Sequence, residues 1–150
     1  STHDQSSAAS DVYKRQVSIQ RIVPERQWLI DIPIESVVIL GNDLRFEQML
    51  DKLLDNAKDY TASGGVITVG MRDHIDSVSL WVQNEGPSLK VQDGVDAFQM
   101  FSGTRNDSTG SHLGLGLYVV RLIAESMGGQ VSIRNVDQGV RTEVTGLRVP

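Results

Sequence analysis

Four polar residues, Lys52, Asp55, Asn56 and Asp59, recur at i, i+3, i+4 and i+7, the spacing of one helix face. The plain reading is a solvated face with a Lys–Asp pair. The chemical reading is a ligand face, because an amide oxygen and carboxylates suit a hard cation such as Mg²⁺. Gln83-Asn84-Glu85-Gly86-Pro87 follows a strand-like run. It is either a turn or a strand end that presents the Asn84 amide, both donor and acceptor, to a ligand edge. His112-Leu113-Gly114-Leu115-Gly116-Leu117 opens an apolar helix. Glycines at a helix start admit close approach to the backbone, and the free N–H groups and positive dipole end suit phosphate. The alternative is tight packing against another element. Neither a dinucleotide fingerprint nor a Walker A loop is present: no third glycine follows at the required spacing, and there is no Gly-Lys-Ser/Thr. Just before this helix lies Ser102 to Ser111, SGTRNDSTGS, placed as a lid would be. Arg105 is its cation best placed to meet a phosphate, and the alternative is a plain loop.

These residues need elements to hold them. Trp28–Ile32 and Val37–Leu40 read as strands, punctuated by Pro33 and Gly41-Asn42-Asp43. Asn42 or Asp43 caps a helix running to about Tyr60. Phe46, Leu50, Leu53, Leu54 and Ala57 form its core-facing stripe. Val66–Val69 and Val78–Val82 read as an antiparallel pair. From Asn84 to His112 only Ala97–Phe101 looks like a helical turn, and long irregular segments in compact domains are usually functional. Leu113–Met127 is a helix ended by Gly128-Gly129. Val131–Ile133 and Val140–Val149 form a hairpin around Asp137-Gln138-Gly139. The expected fold is α+β: a two-layer α/β sandwich, with a mixed, mostly antiparallel sheet and helices on one face.

The 150 residues suit one domain. The absence of cysteine excludes disulfides, zinc-thiolate sites and thiol catalysis. A net charge of −5 argues against nucleic-acid binding. No apolar run approaches the roughly 20 residues that span a bilayer. Residues 1–10 are a polar tail, and Asp11–Gln16, DVYKRQ, resemble the translated end of a transposon adapter used in sequencing libraries. Residues 1–16 are therefore set aside, and 17–150 are read as the domain.

Taken in order from about Trp28 to Val149, these pieces resemble the catalytic ATP-binding domain of bacterial two-component sensor histidine kinases. This domain belongs to the GHKL group that includes gyrase and MutL and shares the Bergerat fold. Leu53-Leu54-Asp55-Asn56-Ala57 resembles the family's N box, and Asn84-Glu85-Gly86-Pro87 its G1 box. Phe98-Gln99-Met100-Phe101 resembles its F box, and Gly114-Leu115-Gly116-Leu117 its G2 box. The resemblance implies a site for ATP and Mg²⁺ between the two long helices. Asn56 would ligate Mg²⁺, Asn84 would meet the adenine amino group, and Gly86 would let the base sit against the backbone. Gly114 and Gly116 would bring N–H groups to the phosphates. Asp59, Tyr60, Gly110, His112, Leu113 and Leu115 would line the site, and Phe98 and Phe101 would anchor the lid. Lys52 and Arg105 would be the cations at the transferred phosphoryl group, which passes to a histidine.

Several positions depart from the family pattern. Lys52 stands where a second Asn, or the Glu base of gyrase-type members, is usual, which argues against a hydrolytic ATPase. Asp59 stands where a Lys or Arg is common, so the cation has moved to Lys52 or Lys58. Asn84 replaces the G1 aspartate and loses charge assistance; Ser88 replaces a glycine, and His112 another. Lys52, the Met-Phe-Ser segment and the His-Leu-Gly-Leu-Gly-Leu-Tyr string resemble a subgroup encoded beside dedicated proteobacterial sortase systems. None of His3, His74 and His112 is expected on a helix suited to accept phosphate, and the resemblance implies a phosphoacceptor histidine on a helical hairpin before this domain, in a separate dimerisation domain. The implied partners are that domain, a response regulator and a second copy in a homodimer. The implied location is the cytoplasmic side of the bacterial inner membrane. Two other readings stand beside the kinase: a nucleotide-binding module without phosphotransfer, and an anti-sigma-type serine kinase.

Overall fold

The computed structural model describes residues 26–32, 38–62, 64–89 and 111–150, with side chains of the last segment described from Gly116 onward. Asn42 sets the start of helix α1 (Asp43–Tyr60): its backbone is extended, and its side-chain oxygen accepts the Arg45 amide at 3.1 Å. The helix buries Phe46, Met49, Leu50, Leu53, Leu54 and Ala57, the expected stripe plus Met49. At its far end Thr61 leaves helical geometry and its hydroxyl donates to the Ala57 carbonyl at 2.6 Å. Arg26 then closes the terminus. Its guanidinium donates to the Thr61 carbonyl at 2.8 and 3.1 Å and to the Lys58 carbonyl at 3.2 Å. A cation on the negative end of the helix dipole is favourable. Arg26→Ala should therefore cost about 1–2 kcal/mol in urea unfolding with an unchanged m value.

The remaining elements are β1 (Gln27–Asp31), β2 (Val66–Asp73), β3 (Ser77–Glu85), α2 (Ser111–Ser126), β4 (Gln130–Val136) and β5 (Gly139–Arg148). The five strands form one sheet in the order β1-β2-β3-β5-β4. β1 pairs parallel with β2, and every other pair is antiparallel. Both helices share one core with the inward residues Ile67, Val69, Met71, Val78, Leu80, Val82 and Val144. This is the two-layer arrangement expected. α2 ends in a Schellman motif: Gly128 has φ +84°, its amide donates to Glu125 at 3.1 Å, and the Gly129 amide donates to Ala124 at 2.8 Å.

One expected strand is corrected. Val38–Leu40 form no strand, and Val37 lies outside the described residues. Ile39 is buried in the core, and the Leu40 amide donates to the Arg148 carbonyl at 2.8 Å. The apolar run thus serves burial through a connecting segment, and periodicity alone does not separate that case from a short strand. The helix expected from Leu113 starts two residues earlier, and Val66–Val69 is the first half of a longer strand.

On the outer face of the sheet Trp81 lies over Gly70, where any side chain would collide with its ring. The Arg141 guanidinium stacks on the same ring, 4.1 Å from its centre, and donates to Gln83 Oε1 at 3.0 Å. Farther along, Arg72 Nη2 lies 2.8 Å from Asp31 Oδ2, and this guanidinium holds the Asp31 carboxyl below its usual range. A depressed carboxyl contributes stability above its unfolded value, near 3.9, and loses it as the pH falls through the lower folded value. The pair is exposed, so high salt should return the Asp31 titration, followed by NMR, toward the ordinary carboxylate range. Among the described residues no helix is long and apolar enough to cross a membrane.

Candidate functional site

α1 and β3 approach each other at their C-terminal ends, and the two polar motifs meet there. Asn84 is the penultimate residue of β3, so the strand takes in Gln83–Glu85 of the segment that also read as a turn, and the chain bends at Gly86. Its side chain points to the helix layer, alternating with the buried Val82, and is 5% exposed. Its Nδ2 faces the Tyr60 carbonyl at 3.5 Å, the outer limit of a hydrogen bond. Gly86 follows, and a Cβ there would stand 2.9 Å from the same carbonyl. Glycine is what lets the backbone pass this close to that carbonyl.

Asn56, Tyr60 and Asn84 line one cavity of about 110 Å³, together with Pro87, Ser88, Leu89, Ile133 and Val140. None of these residues is charged at neutral pH. The volume suits a flat ring rather than a whole nucleotide, for which about 300 Å³ or more is usual. Ile133 and Val140 also pack with the buried Leu117 of α2, and Tyr60 and Leu89 pack against that cluster. This packing holds the first turns of α2 beside the cavity. Gly116 lies there, and a Cβ on it would meet nothing among the described residues within 4 Å.

The other predicted residues distribute as follows. Lys52 and Asp59 are exposed on α1 and do not line the cavity. Lys58 Nζ lies 3.8 Å from both Asp55 and Asp59, so the ion pair on this face belongs to Lys58, not Lys52. His112, Leu113, Gly114 and Leu115 belong to the first turn and a half of α2. Phe98, Phe101, Arg105 and Gly110 lie outside the described residues, as does the expected turn Ala97–Phe101. His74 sits between β2 and β3 with Nε2 3.1 Å from the Ser79 hydroxyl, in a hairpin turn as expected.

Sequence reasoning missed how the last hairpin supports the site. The Gly86 amide donates to the Gln138 carbonyl at 2.9 Å. Gly139 lies so close to the Asn84 carbonyl that any side chain would collide with it. Asn135 clamps Leu89: its Oδ1 accepts the Leu89 amide at 2.8 Å, and its Nδ2 donates to the Leu89 carbonyl at 3.0 Å. The turn Asp137-Gln138 and the end of β4 thus brace both ends of the segment from Asn84 to Leu89. A signal was present. Asn135 continues the alternation of Val131 and Ile133, where another apolar residue would be routine.

Comparison with known proteins agrees with this arrangement. The sensor protein ChvG of Agrobacterium fabrum is 35% identical over 104 residues, which cover 67% of this chain and 17% of ChvG. The chain therefore spans about a sixth of that relative's length. The catalytic domain of the histidine kinase ThkA superimposes with a TM-score of 0.76 at 23% identity, covering 95% of this chain and 92% of that one. ThkA in complex with the response regulator protein TrrA gives 0.74 at 20% identity, over 95% of this chain and 40% of that one. A model of the histidine kinase-, DNA gyrase B- and HSP90-like ATPases matches residues 41–150. With this match covering most of its length, and with the N-box and G1-box residues gathered at one cavity, the chain belongs to the histidine kinase-, DNA gyrase B- and HSP90-like ATPase family.

Proposed function

We propose that this chain is the ATP-binding kinase domain of a two-component sensor, passing the γ-phosphoryl group of ATP to a histidine on a separate dimerisation domain. The observation that carries the proposal is the convergence of Asn56, Tyr60 and Asn84 on one uncharged cavity held beside the start of α2. The base would enter against Gly86 and Asn84. The triphosphate would run toward the N–H groups of Gly114 and Gly116. Lys52, and Arg105 from the lid segment, would supply positive charge, with Asp59, His112, Leu113, Leu115 and Gly110 around the phosphates and Phe98 and Phe101 anchoring the lid.

Mg²⁺ fits the donor set in a limited way. Asn56 offers one half-buried neutral oxygen, and among the described residues no three His, Cys, Asp or Glu side chains gather. That suits an ion held mainly by phosphate oxygens and water, with a single protein ligand. When bound, the ion would neutralise charge on the phosphates. The chain's own part is to position and to exclude water.

The implied partners are the dimerisation domain, a response regulator and a second copy in a homodimer, at the cytoplasmic face of the inner membrane. ThkA, crystallised with its response regulator, supports that class of partner. The test is transfer of label from γ-labelled ATP to a supplied acceptor hairpin. Acid-labile label on histidine is the expected result. Acid-stable label would mean a serine kinase, and ATP binding without transfer would mean a binding module; either sinks the proposal.

A further inference from the structure

We infer that Asn135 is a positioning residue for the nucleotide: it fixes the Pro87–Leu89 wall of the cavity, an inference that rests on the kinase reading above. Pro87, Ser88 and Leu89 line the cavity but belong to no helix or strand. Pro87 has no N–H and a fixed φ, so it stiffens the segment without anchoring it. Among the described residues, two hydrogen-bonded anchors hold the stretch from Gly86 to Leu89. At its start the Gly86 amide donates to the Gln138 carbonyl at 2.9 Å. At its end Asn135 Oδ1 accepts the Leu89 amide at 2.8 Å, and Nδ2 donates to the Leu89 carbonyl at 3.0 Å.

The second anchor does for Leu89 what a neighbouring strand does for a paired residue: one partner meets both of its backbone groups. A side-chain amide offers the acceptor and the donor together, whereas an alkyl side chain offers neither. Asn135 also extends the inward face of β4 past Ile133, which lines the same cavity.

Asn135 is exposed, so unfolding returns both bonds to water and the fold gains little from them. Their effect is local: they set how often Leu89 stands in the wall. Two neutral hydrogen bonds shift an equilibrium constant by roughly fivefold to 150-fold. Packing of Leu89 on the cluster of Leu117, Ile133 and Val140 opposes displacement, so the lower end applies. A ligand that needs the wall in place loses apparent affinity as the fraction of molecules with it in place falls.

The experiment compares the full 150-residue chain with Asn135→Ala, Asn135→Leu and Arg134→Ala. Leucine keeps the bulk of asparagine without its polar atoms. Arg134 is the exposed neighbour on the other face of β4 and does not line the cavity. Each protein is titrated with an ATP analogue and Mg²⁺, melted, and followed by NMR hydrogen exchange at the Leu89 amide. Both Asn135 variants should lose ATP affinity by about threefold or more. Their Leu89 amide should exchange faster by a similar factor, and their melting temperature should stay within about 5 °C of wild type. Arg134→Ala should match wild type throughout. Unchanged affinity in a folded Asn135→Leu overturns the inference, as does an equal fall in Arg134→Ala. So does a wild-type Leu89 amide that exchanges as fast as in the variants. Loss of the fold in both Asn135 variants would make the residue structural and overturns it too. Absence of ATP binding by the wild type is a separate result: it removes the nucleotide reading, and this inference with it, even where the Leu89 amide is protected.

Discussion

Asn56→Ala should weaken Mg²⁺-dependent ATP binding by roughly tenfold to 150-fold while the domain stays folded. The range is that of a hydrogen-bond-type contact to a charged group, about 1.5–3 kcal/mol, converted to affinity. Asn56 sits on α1 between the buried Leu53 and Ala57 but is itself only half-buried, at the cavity wall. Alanine has the highest helix propensity, so the helix has no reason to fray. Calorimetry with Mg²⁺ and with a chelator separates two roles. Acting through the ion, Asn56 should matter only when Mg²⁺ is present. An equal loss in chelator would mean that the amide touches the nucleotide directly, and the metal assignment would fall.

The second large effect is expected at a residue that touches no ligand. Gly139→Ala places a methyl group into the Asn84 carbonyl, with the Asn84 carbonyl carbon and Glu85 Cα at 3.0 and 3.1 Å. Backbone cannot swing aside as a long side chain can. Either the end of β3 or the turn must shift, and the bond from the Gly86 amide to Gln138 shifts with it. Overpacking of this kind costs about 1–3 kcal/mol. Because the displaced atoms border the cavity proposed for the base, ATP affinity should fall together with the melting temperature. Gly64→Ala is the control. Gly64 has φ +83° and, among the described residues, nothing within 4 Å of a Cβ, so alanine there pays the backbone term, about 1–2 kcal/mol. Equal stability loss with affinity reduced only in Gly139→Ala is the expected pattern. Unchanged affinity in both would show that the turn does not position the site.

The parts of this site that were legible in the chain are local. The α1 stripe, the Asn42 cap and the Gly128-Gly129 stop follow from spacing within a few residues, and the structure has each of them. Asn56, Asn84 and Gly86 stood out because they sit inside short motifs. Asn135, Gln138 and Gly139 did not, because their partners are 46 or more residues away, as Asn135 is from Leu89. Periodicity reports which face a side chain takes and not which strand lies beside it. The sheet order placing β5 between β3 and β4 was not read from the chain, yet it brings the final turn against Asn84 and Gly86. Val37–Leu40 shows the converse limit: an apolar run says that something is buried, not in what conformation.

The position of β5 also governs when the pocket comes into being. Strand β3, with the Asn84 motif, and helix α1, with Asn56, leave the ribosome well before Gly139–Arg148 are made. Until those residues arrive, β3 lacks one of its two neighbours, and β4, which carries the Leu89 clamp Asn135, has no strand to pair with. A nascent chain therefore has its recognition residues without a place to bind ATP. A ligand that binds only the completed form adds stability in proportion to the logarithm of its concentration over Kd. Under the proposed function, ATP would add its stability only once β5 has docked against β3, and none before that.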